Sequence, residues 1–379
     1  MLEKKIQIIF VFMFCGMILI PLMGINNEER ISLSEKRKLS EFPLIYTSEG
    51  DINKEFSREF EAWINDNIGM RENILSANAK ILYYLFNILP NNSDMFLGEN
   101  GELNYATSEM LRDYSHLNLK SEEELDTIAK GFQQGYEYLE SRGTQMYYFQ
   151  CWDKHSIYPE YFPDTIMQYG SISKTDQIVD TLTKKTDICV ISPKQELIDN
   201  KEIYDTYSVW GDPTHWTQRG AFIGYQKLIK EINKKNKGKY RELKESDYNI
   251  TKIDMGQTIQ EVIHKECLLE NFEIKSPNAK ITNDKLTLYS AGHQFYTNEN
   301  VDNDTRVLIM GDSYVDSFLL DDLAESFYET ILLWGDYIVD FENIIREYQP
   351  DIVIIENAER CDRTGVIAST MRLLKISEF

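Results

Sequence analysis

From about residue 120 onward the chain alternates short, unbroken apolar runs with stretches of helical periodicity. Val307–Met310, within Arg306-Val-Leu-Ile-Met-Gly-Asp-Ser313, is one such run. Its β-branched, uninterrupted character predicts a strand buried on both faces of a parallel sheet. Gln145–Gln150, Ile188–Ser192, Ile331–Trp334 and Asp351–Ile355 also read as strands. Helices are expected between them: one opened by a Ser121/Glu124 capping box and running to Gly143, then Ser173–Lys185, a helix starting at Thr217, and Phe341–Tyr348. Strand–helix–strand alternation of this kind predicts an α/β domain with right-handed parallel crossovers.

The N-terminal third has a different pattern. Lys4 and Lys5 precede an apolar run from Ile6 to Ile25. About 20 apolar residues span a bilayer as a helix, and the basic flank predicts a cytoplasmic N-terminus with the body exported. The run is long for a cleaved signal peptide and no Ala-x-Ala site follows, so an uncleaved signal anchor over residues 1–26 is the expectation. Residues 27–93 read as a helical segment. Phe56, Phe60, Trp63 and Ile64 mark an amphipathic helix ending near Gly69, and a second helix runs through Ile74, Ile81, Leu82 and Leu85 towards Pro90. Asp66 and Arg71 are a candidate structural pair. Met95–Leu103 reads as a hairpin opening a domain over 94–379. Residues 234–305 are polar and read as an insertion between the domain's halves, over the cleft, with a solvated basic loop at Lys234–Lys239 and a hairpin strand at Thr282–Ser290.

Ser313 lies just past the carboxyl end of the Val307–Met310 strand, where open α/β sheets bind ligands. Its bland reading is a helix N-cap, for which both Asp312 and Ser313 are suited. The functional reading is a nucleophile. A serine hydroxyl needs a base, and the base needs a carboxylate to fix its tautomer; Asp212-Pro-Thr-His215 supplies both from one loop. Lys154 and His155 leave the end of the Gln145–Gln150 strand. With Tyr314 and Trp216, which flank the serine and the histidine, they are candidates for substrate contact, against the bland reading of a solvated loop.

Composition narrows the partners. A formal net charge of −22 argues against nucleic acid and against a polybasic membrane-surface role. It also disfavours a strongly anionic polymer unless the cleft is locally basic. The 23 tyrosines suit a sugar-binding cleft, although aromatic residues fill cores by default. The five cysteines have no metal-ligand spacing. Cys15 falls in the apolar run and Cys189 in a strand, which leaves one disulfide open among Cys151, Cys267 and Cys361. His264 and Cys267 are too isolated to form a metal site. No cofactor motif, phosphate loop, zinc-protease motif or Gly-x-Ser-x-Gly elbow is present.

The Gly311-Asp-Ser313-Tyr and Asp212-x-x-His215 motifs together resemble the SGNH (GDSL-like) hydrolase superfamily. The order, with Asp/His before Ser, is similar to the polysaccharide O-acetyltransferase branch typified by the alginate acetylation proteins AlgJ and AlgX. So are the Glu28–Pro43 opening, Asp66-Asn-Ile-Gly-Met-Arg71, the Met95–Leu103 hairpin, Ile157-Tyr-Pro159 and the His215-Trp-Thr-x-x-Gly-Ala221 continuation. One departure stands out: the alginate proteins place the acid two residues before the histidine, where this chain has Pro213, and the spacing of three here is that of ordinary SGNH hydrolases. The resemblance implies a flavodoxin-like three-layer parallel sheet with helices on both faces. It implies an oxyanion hole from Ser313, Gly335 and Asn357, which all follow strands or end them. It implies an acetyl donor delivered by a membrane-bound O-acyltransferase and a cell-surface or secreted polysaccharide as acceptor. An esterase or deacetylase of the same fold, with water as acceptor, uses the same triad. A non-catalytic glycan-binding scaffold is the third reading, and the intact Ser/His/Asp set weighs against it.

Overall fold

The computed structural model describes residues 2–26, 31–32, 37–90, 94–105, 107–259, 262–282 and 293–375. The chain forms two compact units, residues 1–93 with 258–265, and residues 94–257 with 266–379.

In the first unit, helix α1 (Leu2–Met23) is apolar enough over Lys4–Met23 to cross a membrane. Helices α2 (Phe56–Asn67) and α3 (Arg71–Phe86) follow, separated by a left-handed Met70. Among the described residues no hydrogen bond or ion pair joins Asp66 to Arg71, contrary to the expectation. Asp66 instead binds Arg37 at 2.6 Å and the Ser40 N–H at 2.8 Å, while Arg71 Nε donates to the Asn65 carbonyl.

The second unit is mixed α/β around a mostly parallel sheet. In chain order its main elements are α4 (Glu122–Glu140), β1 (Gln145–Cys151), α5 (Lys174–Lys185), β2 (Cys189–Ile191), α6 (Gln218–Lys235), β3 (Tyr248–Asp254), β4 (Leu268–Ile274), β5 (Lys280–Ile281), β6 (His293–Thr297), β7 (Arg306–Gly311), α7 (Ser313–Asp316), β8 (Glu329–Trp334), α8 (Phe341–Tyr348), β9 (Ile352–Ala358) and α9 (Thr364–Met371). The seven-stranded sheet has the order β5-β6-β8-β7-β9-β1-β2. Strands β8, β7, β9, β1 and β2 run parallel, and β6 and β5 add an antiparallel edge.

The apolar runs are unbroken because both faces of the parallel strands are covered. Val307 and Ile309 of β7 join Ile352 and Ile354 of β9 in one core, closed by Phe222, Tyr225 and Ile229 of α6. Leu308 and Met310 join Val353 and Ile355 in a second core, closed by Phe132 of α4, Leu182 of α5, Ile344 of α8 and Ile367 of α9. The α4 start carries the expected capping box: Ser121 Oγ accepts the Glu124 N–H, and Glu124 accepts the Ser121 N–H.

Three expectations change here. Part of the 234–305 segment belongs to the sheet itself, since Lys280–Ile281 and His293–Thr297 extend its edge; of the strand read at Thr282–Ser290, residues 283–290 lie outside the described residues. Lys234 and Lys235 are the last turn of α6, where basic side chains suit the helix dipole, rather than a solvated loop. All five cysteines are free, with Cys151 buried in β1 and Cys361 exposed, so the disulfide left open in the sequence is not made.

Helices α4 and α9 approach so closely at Gly131 that a Cβ there would lie 2.3 Å from the Ala368 carbonyl oxygen. Gly131→Ala should therefore destabilise the protein by about 1–3 kcal/mol, as overpacking does, even though alanine is the better helix former by about 1 kcal/mol. Chemical denaturation of the full-length variant in detergent measures this, and an increase in stability would show the helices can part at no cost.

Candidate active site

Strand β7 is flanked by β8 and β9, so residues just past its end sit at the middle of the sheet's carboxyl edge. Asp312 takes the cap of α7: its Oδ1 accepts the Tyr314 N–H at 3.0 Å. Its own N–H is held by Glu356 Oε2 at 2.8 Å. With the capping role filled by its neighbour, the Ser313 hydroxyl is free for another partner. That partner is His215, whose Nε2 lies 2.8 Å from Ser313 Oγ.

His215 comes from the loop before α6. Thr217 caps that helix through the Gly220 N–H, and its backbone N–H binds Thr206. Gly220 has no room for a side chain, because a Cβ would meet the Thr206 carbonyl oxygen at 2.3 Å. The loop is thereby pinned to α6. Asp212 Oδ2 lies 2.8 Å from His215 Nδ1, and Asp212 Oδ1 accepts the Thr214 N–H and hydroxyl at 2.7 and 2.6 Å. Partial burial pushes the Asp212 carboxyl up, but its bonds to His215 and Thr214 outweigh this and hold it well below the usual carboxylate range. The structure thus brings Ser313, His215 and Asp212 into one hydrogen-bonded line, and Asp212 keeps His215 Nε2 as the nitrogen that faces the serine.

The line has a further member that the sequence reading missed. Arg360 Nη2 lies 2.9 Å from His215 Nε2, the same nitrogen that Ser313 approaches. Its Nη1 donates to Asp153 Oδ1 at 2.5 Å and to the Thr214 carbonyl at 3.1 Å. Burial lowers and Asp153 raises the guanidinium's proton affinity, with the net effect upward. An arginine shortly after a strand reads as solvated. The available signal was Asp153, a carboxylate just past the end of β1, beside β9, which brings Arg360.

The four candidates for substrate contact are placed differently. Lys154 and His155 are buried, not on an open loop. Lys154 Nζ donates to the Leu103 carbonyl at 2.7 Å, and burial draws it down to about 7. Tyr314 is also buried; its hydroxyl is 2.7 Å from Asp153 Oδ1. Trp216 is buried edge-on to Tyr314, with ring centroids 5.0 Å apart. All four are buried, and none offers an exposed surface to a substrate. Of the oxyanion residues, Asn357 is near the end of β9, but its Oδ1 accepts the Arg363 N–H at 3.0 Å and its Nδ2 faces the Ala358 carbonyl. Gly335 follows β8 and packs against the Arg363 guanidinium. Among the described residues no hydrogen bond joins Asn357 or Gly335 to Ser313.

Asp113, His155 and Glu359 form a buried cluster whose ligand atoms are close enough together to hold a metal ion. His155 Nε2 is 3.5 Å from Asp113 Oδ2 and 3.7 Å from Glu359 Oε2, and the Lys174 ammonium is 3.6 Å from Asp113 Oδ1. Burial disfavours the His155 cation, but Glu359 and Asp113 outweigh that and raise it to about 9. In this structure the cluster is a buried ion network, with the His155 ring and the Lys174 ammonium set against the two carboxylates.

No family model and no curated protein matches the chain. Among solved structures, Bacillus cereus PatB1 with a sulfonyl adduct is similar at a TM-score of 0.53 and 16% identity, over 72% of this chain and 99% of that one. A DHHW family protein from Eubacterium siraeum follows at 0.47 and 15%, over 69% and 91%. The O-acetyltransferase domain of Pseudomonas putida AlgJ follows at 0.47 and 13%, over 74% and 99%. At such identities the likeness, carried by PatB1, is one of fold.

The His155 network predicts a pH dependence. Its folded-state value lies above the ordinary 6.5, so its stabilisation is complete below 6.5 and is lost as pH rises through about 9. The melting temperature of the wild type should exceed that of His155→Gln most at pH 6, with the gap narrowing by pH 9.5. A gap that is constant across this range would mean His155 is buried uncharged.

Proposed function

We propose that this chain is an extracytoplasmic O-acetyltransferase, anchored by α1, with the three-layer SGNH architecture. It moves an acetyl group through an acyl-serine onto a hydroxyl of a cell-surface or secreted polysaccharide. The observation that carries the reading is the 2.8 Å approach of Ser313 Oγ to a histidine whose other nitrogen is held by a carboxylate at 2.8 Å. That spacing is within reach of direct proton transfer. The likeness in fold to PatB1, captured with a sulfonyl adduct, is compatible with it.

In the first step Ser313 Oγ bonds to the donor's carbonyl carbon as its proton passes to His215 Nε2, and the carbonyl π electrons move to oxygen. Protonation of Nε2 removes the acceptor that Arg360 Nη2 had faced. The guanidinium N–H is released as the oxyanion forms, and a fixed positive charge then opposes the new negative one. Collapse expels the donor's alcohol or thiol, which takes the proton from His215. The acceptor hydroxyl then gives its proton to His215, attacks the acetyl carbon, and the second collapse returns Ser313 Oγ–H. Asp212 stabilises the imidazolium in both halves. Arg360 takes the oxyanion role that the resemblance gave to Asn357, whose Oδ1 is held by the Arg363 N–H and whose Nδ2 faces the Ala358 carbonyl. The donor is supplied across the bilayer by a membrane-bound O-acyltransferase.

An esterase differs only in using water as acceptor, and the same line of residues would serve it. The scaffold reading is disfavoured by the Ser313–His215 distance, since a fold kept only for binding has no need of that contact.

Full-length protein in detergent, given p-nitrophenyl acetate and neutral oligosaccharides, tests the reading. Ser313→Ala should fall by at least about 10³-fold, close to the buffer rate. Arg360→Gln should fall by about 10²–10³, the usual cost of one oxyanion donor. Acetate on sugar identifies a transferase, and free acetate alone an esterase. A Ser313→Ala protein as fast as the wild type would overturn both.

A further inference from the structure

Beside the triad lies a cavity of about 480 Å³ within the second unit. It is continuous in sequence with the nucleophile, since Asp316, Ser317 and Phe318 line it and Ser313 opens the same helical turn. It is also close in space, although Ser313, His215 and Asp212 do not line it. Phe318 lines the cavity, and its ring lies 5.6 Å from the His215 ring. A group held in the cavity therefore sits across one aromatic ring from the base.

Its walls are of two kinds. Phe272 is part-exposed at the cavity and backed by Phe222 and Tyr248, with ring centroids 5.3 and 5.2 Å from its own. With Phe318 it offers flat apolar faces of the kind that stack on the C–H face of a pyranose ring. Between these faces lie carboxylates already oriented by neutral donors. Asp316 Oδ1 takes the Gln294 amide at 2.5 Å and Asp321 Oδ1 takes the Tyr296 hydroxyl at 2.9 Å. Each retains a second oxygen bonded to none of the described residues, set to accept from a sugar hydroxyl. Of the other lining acids, Glu325 is paired with Arg241 at 3.1 Å and burial raises Asp322 to about 7, so the uncompensated charge rests on Asp316, Asp321 and Glu273, against the single lining cation Lys275, whose ammonium donates to the Ser246 carbonyl.

We propose that this cavity is the acceptor subsite and that it takes a pyranose glycan without carboxylates, neutral or amine-bearing, while rejecting uronate polymers. The inference rests on Ser313 being the acetyl-carrying nucleophile. Size, aromatic faces and adjacency to the base identify a sugar. The sign of the charge then excludes a class of sugar, because like charges brought together without counter-ions oppose binding. The locally basic cleft that an anionic acceptor would need, given the overall charge of −22, is absent from this lining.

Binding is read by calorimetry on full-length Ser313→Ala in detergent, so that the result does not depend on acyl chemistry. The probes are cellopentaose, N-acetylchitopentaose, chitosan pentamer and oligogalacturonate of equal length. The neutral or amine-bearing oligomers should bind at least ten-fold more tightly than oligogalacturonate. Asp321→Asn and Phe318→Ala should each weaken the preferred oligomer by about ten-fold or more, Asp321→Asn without a loss of melting temperature. Asp321→Lys, made to the same background, should narrow the discrimination against oligogalacturonate. Oligogalacturonate binding as tight as the others, or glycan binding indifferent to all three substitutions, would overturn the proposal. Glycan binding as expected, with no Ser313-dependent acetyl release or transfer by the wild type, would instead count against the acyl-serine reading alone.

Discussion

A carboxylate buried at the end of a strand has to be neutralised, and around Asp153 that requirement shapes the whole site. Asp153 follows β1 and is almost fully buried, with Arg360 from the segment after β9 at 2.5 Å and the Tyr314 hydroxyl at 2.7 Å. Removing one partner of such a pair typically costs about 3–5 kcal/mol, because the other charge is left buried. The pair therefore holds its geometry, and the remaining arm of the guanidinium points at His215 Nε2. The parallel sheet makes this possible, since β9 lies between β7 and β1 and brings Arg360, Ser313 and Asp153 to one edge.

The same constraint explains the buried tyrosine beside the serine. Tyr314 donates a hydrogen bond to Asp153, and burial together with that charge pushes the phenol well above its usual range, so it stays neutral. Trp216 packs edge-on to Tyr314 and is itself pressed by Gly224 of α6. The residues next to the serine and the histidine thus lock the two loops together, and Ser313 Oγ and His215 Nε2 have little freedom to drift. Preorganisation of this kind is what a charge-stabilising site needs, because nothing must be reoriented when charge develops.

Much of this was legible in the chain. Apolar runs gave the parallel strands, because burial on both faces leaves no polar position to confuse the pattern. That Asp212, His215 and Ser313 come together was legible because the three residue types are specific in kind and spacing. What was not legible depended on partners distant in sequence. Lys154 and His155 read as a solvated loop, since no local pattern shows that Leu103, Asp113 and Glu359 close over them. Asn357 has the residue type expected of an oxyanion donor, yet its Nδ2 faces the Ala358 carbonyl, and Arg360 occupies the ground beside the histidine. Strands β5 and β6 were read as part of an insertion because an edge is short and polar, as exposed sheet edges tend to be.

The account stands on one covalent event. Full-length protein mixed with p-nitrophenyl acetate, quenched in acid within the first turnovers and digested, can be read by mass spectrometry. A single acetyl group on Ser313, absent from His215→Ala and appearing more slowly in Arg360→Gln, is the predicted result. Turnover with no acetyl on Ser313 at any time, or acetyl spread over surface lysines alone, would contradict it.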